Sequence, residues 1–290
     1  MENIVKLSSK ERREIFQEAA ARKGMTSVIM EKDFWVCWVL KKIFADEYLS
    51  KIMLFKGGTS LSKVFKVIER FSEDIDLVLD WKVLTDADPT APLSGTKQKE
   101  INKVIDEKAA SFISGELLEK ISTVLSPVCS VKADEKDPHI LHVAYPESFS
   151  DQYVVPRVKL EIGPLASWVP NDRYVIVPYL HDVFPELMKK YECSLKSIKA
   201  ERTFWEKVTI LHHEAHRPET STVPLRYSRH YYDLAVPGTM KLIPSDHVLK
   251  FLKTDYREMR NLIFGEYPSF ENIVQGLTML EKEINSIKVK

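Results

Sequence analysis

The sequence predicts an α+β fold in which a small sheet carries helices at both ends of the chain. Strand-like segments are concentrated between about residues 50 and 180, and amphipathic helical segments precede and follow them. Of the 290 residues, 44% are hydrophobic and 29% are charged, which is typical of a globular protein with a substantial core. We therefore expect a first domain at 1–180 with the sheet, and a helical domain at 181–290.

The N-terminal segments have the sequence signals of two helices. SSKERREIFQEAAARKG opens on serine caps and closes on Gly24, and SVIMEKDFWVCWVLKKIFAD has a wide apolar face. The charged run Glu31, Lys32 and Asp33 interrupts that apolar pattern. Its simplest explanation is the polar face of the helix.

Strands and loops alternate in the middle of the chain. KIMLF predicts a strand, a Gly-Gly-Thr-Ser turn leads into the helical LSKVFKVIER, and DIDLVLDW predicts a second strand. Residues 86–97 form a loop before a long helical region. HILHVAYP and YVVPRVKLEIGP predict two more strands, and after RYVIVPYLHDVF we expect helices to the end of the chain.

Charge and cysteine content indicate where the protein works. Lys plus Arg and Asp plus Glu number 42 each, so the overall charge indicates no nucleic-acid partner, although a local basic surface is compatible with it. Cys37, Cys129 and Cys193 lie far apart, and the N-terminus lacks an apolar signal-peptide core. We expect a cytoplasmic protein with no membrane contact.

Two features of residues 55–80 predict chemistry. Asp74 and Asp76 alternate with Ile75 in a strand, so the two carboxylates share a face and lie roughly 7 Å apart along the backbone. Paired hard oxygen ligands suit Mg²⁺. The preceding Gly57–Gly58 turn lets backbone N–H groups approach a phosphate. Either feature alone is weak, but their order predicts metal-assisted phosphoryl or nucleotidyl transfer.

KGGTSLSKVF followed by RFSEDIDL resembles the signature of the nucleotidyltransferase superfamily with the DNA polymerase β-like fold. More narrowly, the chain is similar to the AbiEii/AbiGii toxin family, which includes the MenT-type toxins. MEKDFWVCWVLKKIF, ERTFWEKVTILHHEAHR and RYSRHYYDL carry the similarity across most of the chain. The resemblance implies a polymerase β-like core, a nucleoside triphosphate substrate, and the toxin of a toxin–antitoxin or abortive-infection system. It also implies a cognate antitoxin and, as acceptor, an RNA such as the 3′ end of tRNA.

The resemblance also assigns residues. It implies metal binding by Asp74 and Asp76 and makes Glu161 the candidate for the third carboxylate, although the alternation around Glu161 also suits a solvated edge strand. It places Lys207 at the nucleotide phosphates and Asp233 in support of catalysis, and it makes Glu31, Lys32 and Asp33 supporting residues. The expected nucleotide-binding residues are Gly57, Gly58, Thr59, Ser60, Ser72, Lys207 and Arg229.

Three points stay open in the sequence. Arg229 and Asp233 are spaced for a plain i,i+4 ion pair. The family often has an acid where this chain has His230. HHEAH is one residue short of a zinc motif, although His212 and His216 are spaced to chelate.

The acceptor is also open. Residues 186–230 carry nine Lys/Arg against six Asp/Glu with four histidines, and Arg226 and Arg229 alternate with Tyr227, Tyr231 and Tyr232. This pattern suits an RNA surface as well as it suits a solvated helix with buried tyrosines. A transferase acting on a protein or small molecule, and a non-catalytic nucleotide-binding regulator, are the alternatives.

Overall fold

The computed structural model describes residues 1–72, 74–149, 155–166, 168–188, 191–218, 227–233, 252–254, 256 and 268–286. The chain divides into two compact units. The first comprises Met1–Lys66 and Ser72–Lys199, and the second comprises Val67–Phe71 and Ala200–Lys290. This division differs from a boundary after residue 180, because a strand at Cys193–Ile198 belongs to the sheet of the first unit.

The described residues contain both element types of the expected α+β fold. The helices are α1 (Glu2–Val5), α2 (Ser9–Lys23), α3 (Ser27–Ala45), α4 (Leu49–Ile52), α5 (Gly57–Lys63), α6 (Gly95–Phe112), α7 (Leu118–Leu125), α8 (Tyr179–Val183), α9 (Ala200–Ala215), α10 (Ser228–Tyr232) and α11 (Phe270–Ser286). The strands are β1 (Met53–Lys56), β2 (Asp74–Leu79), β3 (Ser130–Ala133), β4 (Ile140–Ala144), β5 (Arg157–Gly163), β6 (Asn171–Ile176) and β7 (Cys193–Ile198). A π-helical turn, Ile113–Leu117, joins α6 to α7.

Local signals set the ends of α2 as the sequence predicts. Ser8 and Glu11 form a reciprocal capping box at the N-terminus, and Gly24 ends the helix with a left-handed φ of 65°. The expectation for the glycine turn was partly wrong. Gly57 is itself the first residue of α5, and the helix ends at Lys63, so the following VFKVIER is not part of it.

Within the described residues, the strands form one mixed sheet in the order β3-β4-β5-β2-β1-β7-β6. Strand β2 lies in the middle, antiparallel to β1 and parallel to β5. Strands β3 and β7 were not expected, and β7 lies beyond the region in which the sequence concentrates strands. The acidic strand is therefore held by neighbours on both sides.

One face of the sheet packs on the helices of the first unit. Ile75 and Leu77 of β2 join a core that contains Phe34, Trp35 and Trp38 of α3, all with 1% exposure or less. Because side chains alternate along a strand, Asp74 and Asp76 point to the opposite face. We call this opposite face the open face of the sheet.

The charged run on α3 is buried, not on a solvated polar face. Glu31 accepts hydrogen bonds from the backbone N–H groups of Ser148 and Phe149, and Lys32 donates to the Val155 carbonyl. Asp33 lies 2.7 Å from Lys63 Nζ and also accepts from the Tyr179 N–H. The three side chains thus tie α3 to separate segments of the first unit.

Lys63 is the last residue of α5, so its partner fixes the helix that begins with the glycines. Burial opposes the charge of Lys63, yet Asp33 raises its pKa above the ordinary value. The Lys63 ammonium also lies 3.6 Å from the centre of the Tyr179 ring. The pair anchors α5 to α3 in the interior.

None of the described helices combines the length and apolar character that a membrane span requires.

We predict that Asp33→Asn lowers the free energy of unfolding by about 3–5 kcal/mol, because the buried Lys63 charge loses its counter-charge. Urea unfolding followed by far-UV circular dichroism measures this loss. Glu47→Gln is the matched control, since Glu47 forms an exposed i,i+4 pair with Lys51 and its loss costs under about 1 kcal/mol. Equal losses in the two variants would show that the Asp33–Lys63 pair anchors nothing.

Candidate active site

The open face of the sheet brings together five charged residues, three of them expected site residues (Asp74, Asp76 and Glu161) and two lysines (Lys56 and Lys159). In the strand register Asp76 of β2 lies between Lys56 of β1 and Glu161 of β5, and Asp74 lies opposite Lys159. Residues directly opposite each other on neighbouring strands share a face. Asp76 and Glu161 are therefore neighbours, as the assignment of Glu161 as third carboxylate requires.

A cleft of about 520 Å³ lies along this row. Its size is within the range of small-molecule sites. Its floor carries Asp76, Glu161, Lys56 and Lys159, and its other lining residues are Leu77, Asp106, Asp137, His139, Ile140, Ile162, Gly163, Pro164, Leu165 and Ala166. The cleft thus combines carboxylates, cations and an apolar strip.

Gly57 makes direct contact with the acidic strand. A Cβ built on Gly57 would lie 1.8 Å from Asp76 Oδ2, and the residue has a φ of 78°. Any side chain there would collide with the carboxylate, and an L-residue would also be strained. Glycine at this position therefore allows the Asp76 carboxylate to lie against the start of α5.

The hydroxyl groups near the glycines bind the protein itself. Thr59 Oγ1 donates to the backbone carbonyls of Asp74 and Ser72, and Ser60 Oγ donates to the Gly57 carbonyl at 2.8 Å. Both side chains are buried. The groups that α5 offers a phosphate are consequently its first backbone N–H groups, including that of Gly58, and not these hydroxyls.

Ser72 was expected on the same strand face as Asp74. The structure places it before the start of β2, with a buried side chain and a carbonyl that accepts from Thr59 at 3.2 Å. Ser72 therefore belongs to the segment that leads into the acidic strand.

Glu161 has a cation beside it. Lys159 Nζ lies 2.5 Å from Glu161 Oε1, and both side chains are about one third exposed. Among the residues that the structure describes, no group of three or more His, Cys, Asp or Glu side chains is placed to hold a metal ion. In this conformation the Glu161 carboxylate is engaged by Lys159.

Lys207 and Asp233 are brought together in the second unit. Lys207 Nζ lies 2.9 Å from Asp233 Oδ2, and Arg70 donates from Nε and Nη2 to the two Asp233 oxygens at 2.6 and 2.5 Å. The Asp233 side chain has 0% exposure and that of Lys207 has 8%. Burial alone raises a carboxyl pKa, but the two cations hold that of Asp233 well below its usual range.

Asp233 lies directly after α10. Its carboxylate pairs with Arg70 and Lys207, and its backbone N–H donates to the Arg229 carbonyl. Burial, followed by the charges of Lys207 and Arg229, lowers the pKa of His230 to about 3. His230 is therefore neutral at neutral pH.

The tyrosines next to Arg229 only partly suit base stacking. Tyr231 is 2% exposed and cannot stack on a base, which agrees at this residue with the alternative of buried tyrosines. Tyr227 packs on the His230 ring and Tyr232 on the Tyr256 ring. Arg226 and the side chain of His212 lie outside the described residues.

Sequence reasoning did not assign a role to several residues of these clusters. Lys56 directly precedes the glycines, and its position next to the turn that is expected to bind phosphate is the signal that could have identified it. Arg70 lies 163 residues from Asp233, and no local pattern reveals that pairing. Asp106, Asp137 and His139 enter the cleft from α6 and from the β3–β4 turn, which the sequence alone does not bring together.

Comparisons with known proteins found one matching family and several similar structures. The family model described as nucleotidyl transferase AbiEii toxin, type IV TA system, matches residues 38–277. The fold is similar to MenT4, a nucleotidyltransferase toxin of Mycobacterium tuberculosis H37Rv, at 13% identity and a TM-score of 0.42, covering 92% of this chain and 98% of that one. It is also similar to JHP933 of Helicobacter pylori, at 14% identity and a TM-score of 0.41, covering 90% and 93%. No curated protein sequence matches.

We predict that Gly57→Ala lowers the catalytic rate by at least about 100-fold, because the added methyl displaces the Asp76 carboxylate by an ångström or more. Steady-state rates per folded molecule measure the effect. Gly95→Ala is the matched control, since a Cβ there meets nothing within 4 Å. Normal activity in Gly57→Ala would mean that the position of Asp76 is not critical.

The lowered pKa of His230 predicts that the stability of the fold depends on pH. Its pKa is lowered from 6.5 to about 3 in the folded protein, so its neutral form stabilises the fold fully above about pH 6.5, and this contribution is lost as pH falls towards 3. Between pH 7 and pH 5, the unfolding free energy of the wild type should fall by about 1–2 kcal/mol more than that of His230→Gln. His213→Gln is the control, since the His213 side chain is 80% exposed, and its unfolding free energy should fall as much as that of the wild type. Identical pH profiles for wild type and His230→Gln would contradict this assignment.

Proposed function

The chain belongs to the AbiEii family of nucleotidyl transferase toxins, and from that membership we propose that it transfers a nucleoside monophosphate from a nucleoside triphosphate to an RNA with the help of Mg²⁺ or Mn²⁺. The observation that carries the proposal is the contact of Gly57 with the Asp76 carboxylate. This contact places the N-terminus of α5, whose backbone N–H groups suit phosphate oxygens, next to a carboxylate that suits a metal ion.

The residues of the open face fit a divalent cation by their chemistry. Asp74 and Asp76 offer oxygen ligands on one face of β2, and Glu161 lies opposite Asp76. Glu161 would first have to leave Lys159. When bound, such a cation neutralises phosphate charge and lowers the pKa of a hydroxyl nucleophile. We therefore assign Asp74, Asp76 and Glu161 as its ligands.

The chain's own groups bind the triphosphate in this proposal. The backbone N–H groups of Gly57, Gly58 and Thr59 donate hydrogen bonds to phosphate oxygens. Lys56, which lines the cleft together with Asp76, offsets the negative charge of the phosphates. Thr59 contributes its backbone N–H, because its hydroxyl already donates to the Asp74 and Ser72 carbonyls. Ser60 and Ser72 help to hold the start of α5 and the chain before β2 in place. The family resemblance also implies that Lys207 and Arg229 bind the nucleotide phosphates.

The acceptor enters the remaining part of the cleft. Because the glycines flank β2 on the β1 side, the part of the cleft between β5 and β4 is left for the acceptor hydroxyl. Attack of that hydroxyl on the α-phosphorus forms the new phosphodiester bond and releases pyrophosphate. We propose the 3′ end of a tRNA as acceptor, supported by the excess of Lys and Arg over Asp and Glu at 186–230.

One observation favours a second candidate. The carboxylates of Asp106 and Asp137, from α6 and the β3–β4 turn, form one wall of the cleft, with side-chain exposures of 57% and 51%. Carboxylates repel a phosphodiester backbone and accept hydrogen bonds from amines and hydroxyls. A protein or small-molecule acceptor suits this wall. Because the family is enzymatic, a purely regulatory role is set aside, and an antitoxin remains the partner that the family implies.

We predict that Asp74→Asn and Asp76→Asn each lower the transfer rate by at least about 100-fold, because each removes negative charge that supports several kcal/mol of transition-state stabilisation. Incorporation of label from an α-³²P-nucleoside triphosphate measures the rate. Asp86→Asn, at an exposed loop position, is the control and should behave as wild type. Near-normal transfer by Asp76→Asn would refute the site.

We further predict that label from one preferred nucleoside triphosphate enters tRNA-sized RNA when the protein is incubated with total RNA and Mg²⁺. Prior periodate oxidation of the RNA 3′ ends should abolish incorporation, because it destroys the acceptor hydroxyls. Label that appears in protein or in small molecules with RNA absent would reject the RNA acceptor and favour the second candidate.

A further inference from the structure

Asp233 is too deeply buried to touch a substrate. Its side chain has 0% exposure, and both carboxylate oxygens are taken by the fork of Arg70 and by Lys207. A bidentate arginine–carboxylate pair fixes both partners in orientation. An acid or base that acts on a nucleotide needs an accessible oxygen, and the Asp233 carboxylate offers none.

The partner that Asp233 holds lies next to the acidic strand in the chain. Arg70 precedes Asp74 by four residues, is 3% exposed, and also donates from Nη1 to the Phe71 carbonyl. Residues 67–71 belong to the second unit and Ser72 to the first. Through Arg70, Asp233 therefore holds residues 67–71, which lead from the second unit into the acidic strand of the first.

The other end of the segment is fixed from within the first unit. Thr59 Oγ1 donates to the carbonyls of Ser72 and Asp74. Arg70 is thus restrained by Asp233, and Ser72 and Asp74 are restrained by α5. Loss of the Asp233 restraint would loosen the chain that leads into β2.

Asp233 also orients Lys207. The triad of Arg70, Lys207 and Asp233 contains two cations and one anion, and Asp233 is the acceptor that the described residues offer to the Lys207 ammonium. Because the lysine side chain is long and flexible, its ammonium keeps a fixed place only while that acceptor is present. One carboxylate thus controls the position of two cations.

We infer that Asp233 is a positioning residue of the nucleotidyl-transfer reaction, which holds Arg70 and Lys207 in place and does not act on the substrate itself. The inference rests on the proposed function for its kinetic consequences. The claim that Asp233 holds Arg70, and with it the chain that leads into β2, does not depend on the substrate.

Kinetics of a double-mutant cycle test the inference. Asp233→Asn should lower kcat about 10- to 100-fold and leave the shape of the pH–rate profile unchanged. Arg70→Gln should produce a similar loss, and the double variant should be no worse than the poorer single variant, because the residues act as a unit. Multiplicative losses, or disappearance of the acidic limb of the profile in Asp233→Asn, would overturn the inference by showing that Asp233 acts directly.

A matched variant separates positioning from general stability. Glu214→Gln removes another buried carboxylate of the second unit, which is 2% exposed and pairs with Arg217 at 2.6 Å. If Asp233→Asn and Glu214→Gln lower the rate per folded molecule equally, Asp233 has only a structural role and the inference is wrong. If Asp233→Asn does not fold, Arg70→Lys takes its place in the same comparison.

Hydrogen exchange followed by mass spectrometry gives a readout that needs no activity. Asp233→Asn should speed exchange at least about 10-fold in peptides covering residues 70–76, and Glu214→Gln should not. Unchanged exchange in both variants would overturn the positioning role. If the wild type transfers no nucleotide to any acceptor, the proposed function fails, while the exchange result still decides the role of Asp233.

Discussion

The contact between the Asp76 carboxylate and the backbone of Gly57 is the constraint on which the rest of the candidate site depends. It exists because Gly57 has no Cβ and a φ of 78°. The helix that begins at Gly57 is held from its other end by the buried Lys63–Asp33 pair, and Thr59 bonds it to the backbone of β2. The interior of the first unit thereby determines where a surface carboxylate lies.

The open face carries both positive and negative side chains, and each carboxylate of β2 has a lysine opposite it. Lys56 and Glu161 lie on either side of Asp76, and Lys159 lies opposite Asp74. Such an arrangement limits repulsion between the carboxylates while the cleft holds no cation. A chain with equal numbers of acidic and basic residues thus offers both signs on one face, as the proposed binding of a metal ion and a triphosphate requires.

Local patterns were sufficient to predict much of this structure. The caps of α2, the alternation in DIDLVL and the family signature predicted the first helices, the acidic strand and its pairing with Glu161. Features that depend on distant parts of the chain were not predictable in this way. Strand β7 has weak alternation, the start of α5 at Gly57 depends on its contact with Asp76, and Arg70 finds Asp233 across 163 residues. The burial of Glu31, Lys32 and Asp33 likewise depends on partners in other segments.

A crystal structure with Mg²⁺ and a nucleoside triphosphate analogue that cannot be cleaved at the α-phosphate would show directly whether the glycine turn and the acidic strand form one site. We predict that the phosphates lie at the backbone N–H groups of Gly57 and Gly58, with the cation between them and the carboxylates of Asp74 and Asp76. We also predict that Glu161 exchanges Lys159 for the cation. A nucleotide bound elsewhere, with Asp74 and Asp76 in contact with neither phosphate nor cation, would contradict these predictions.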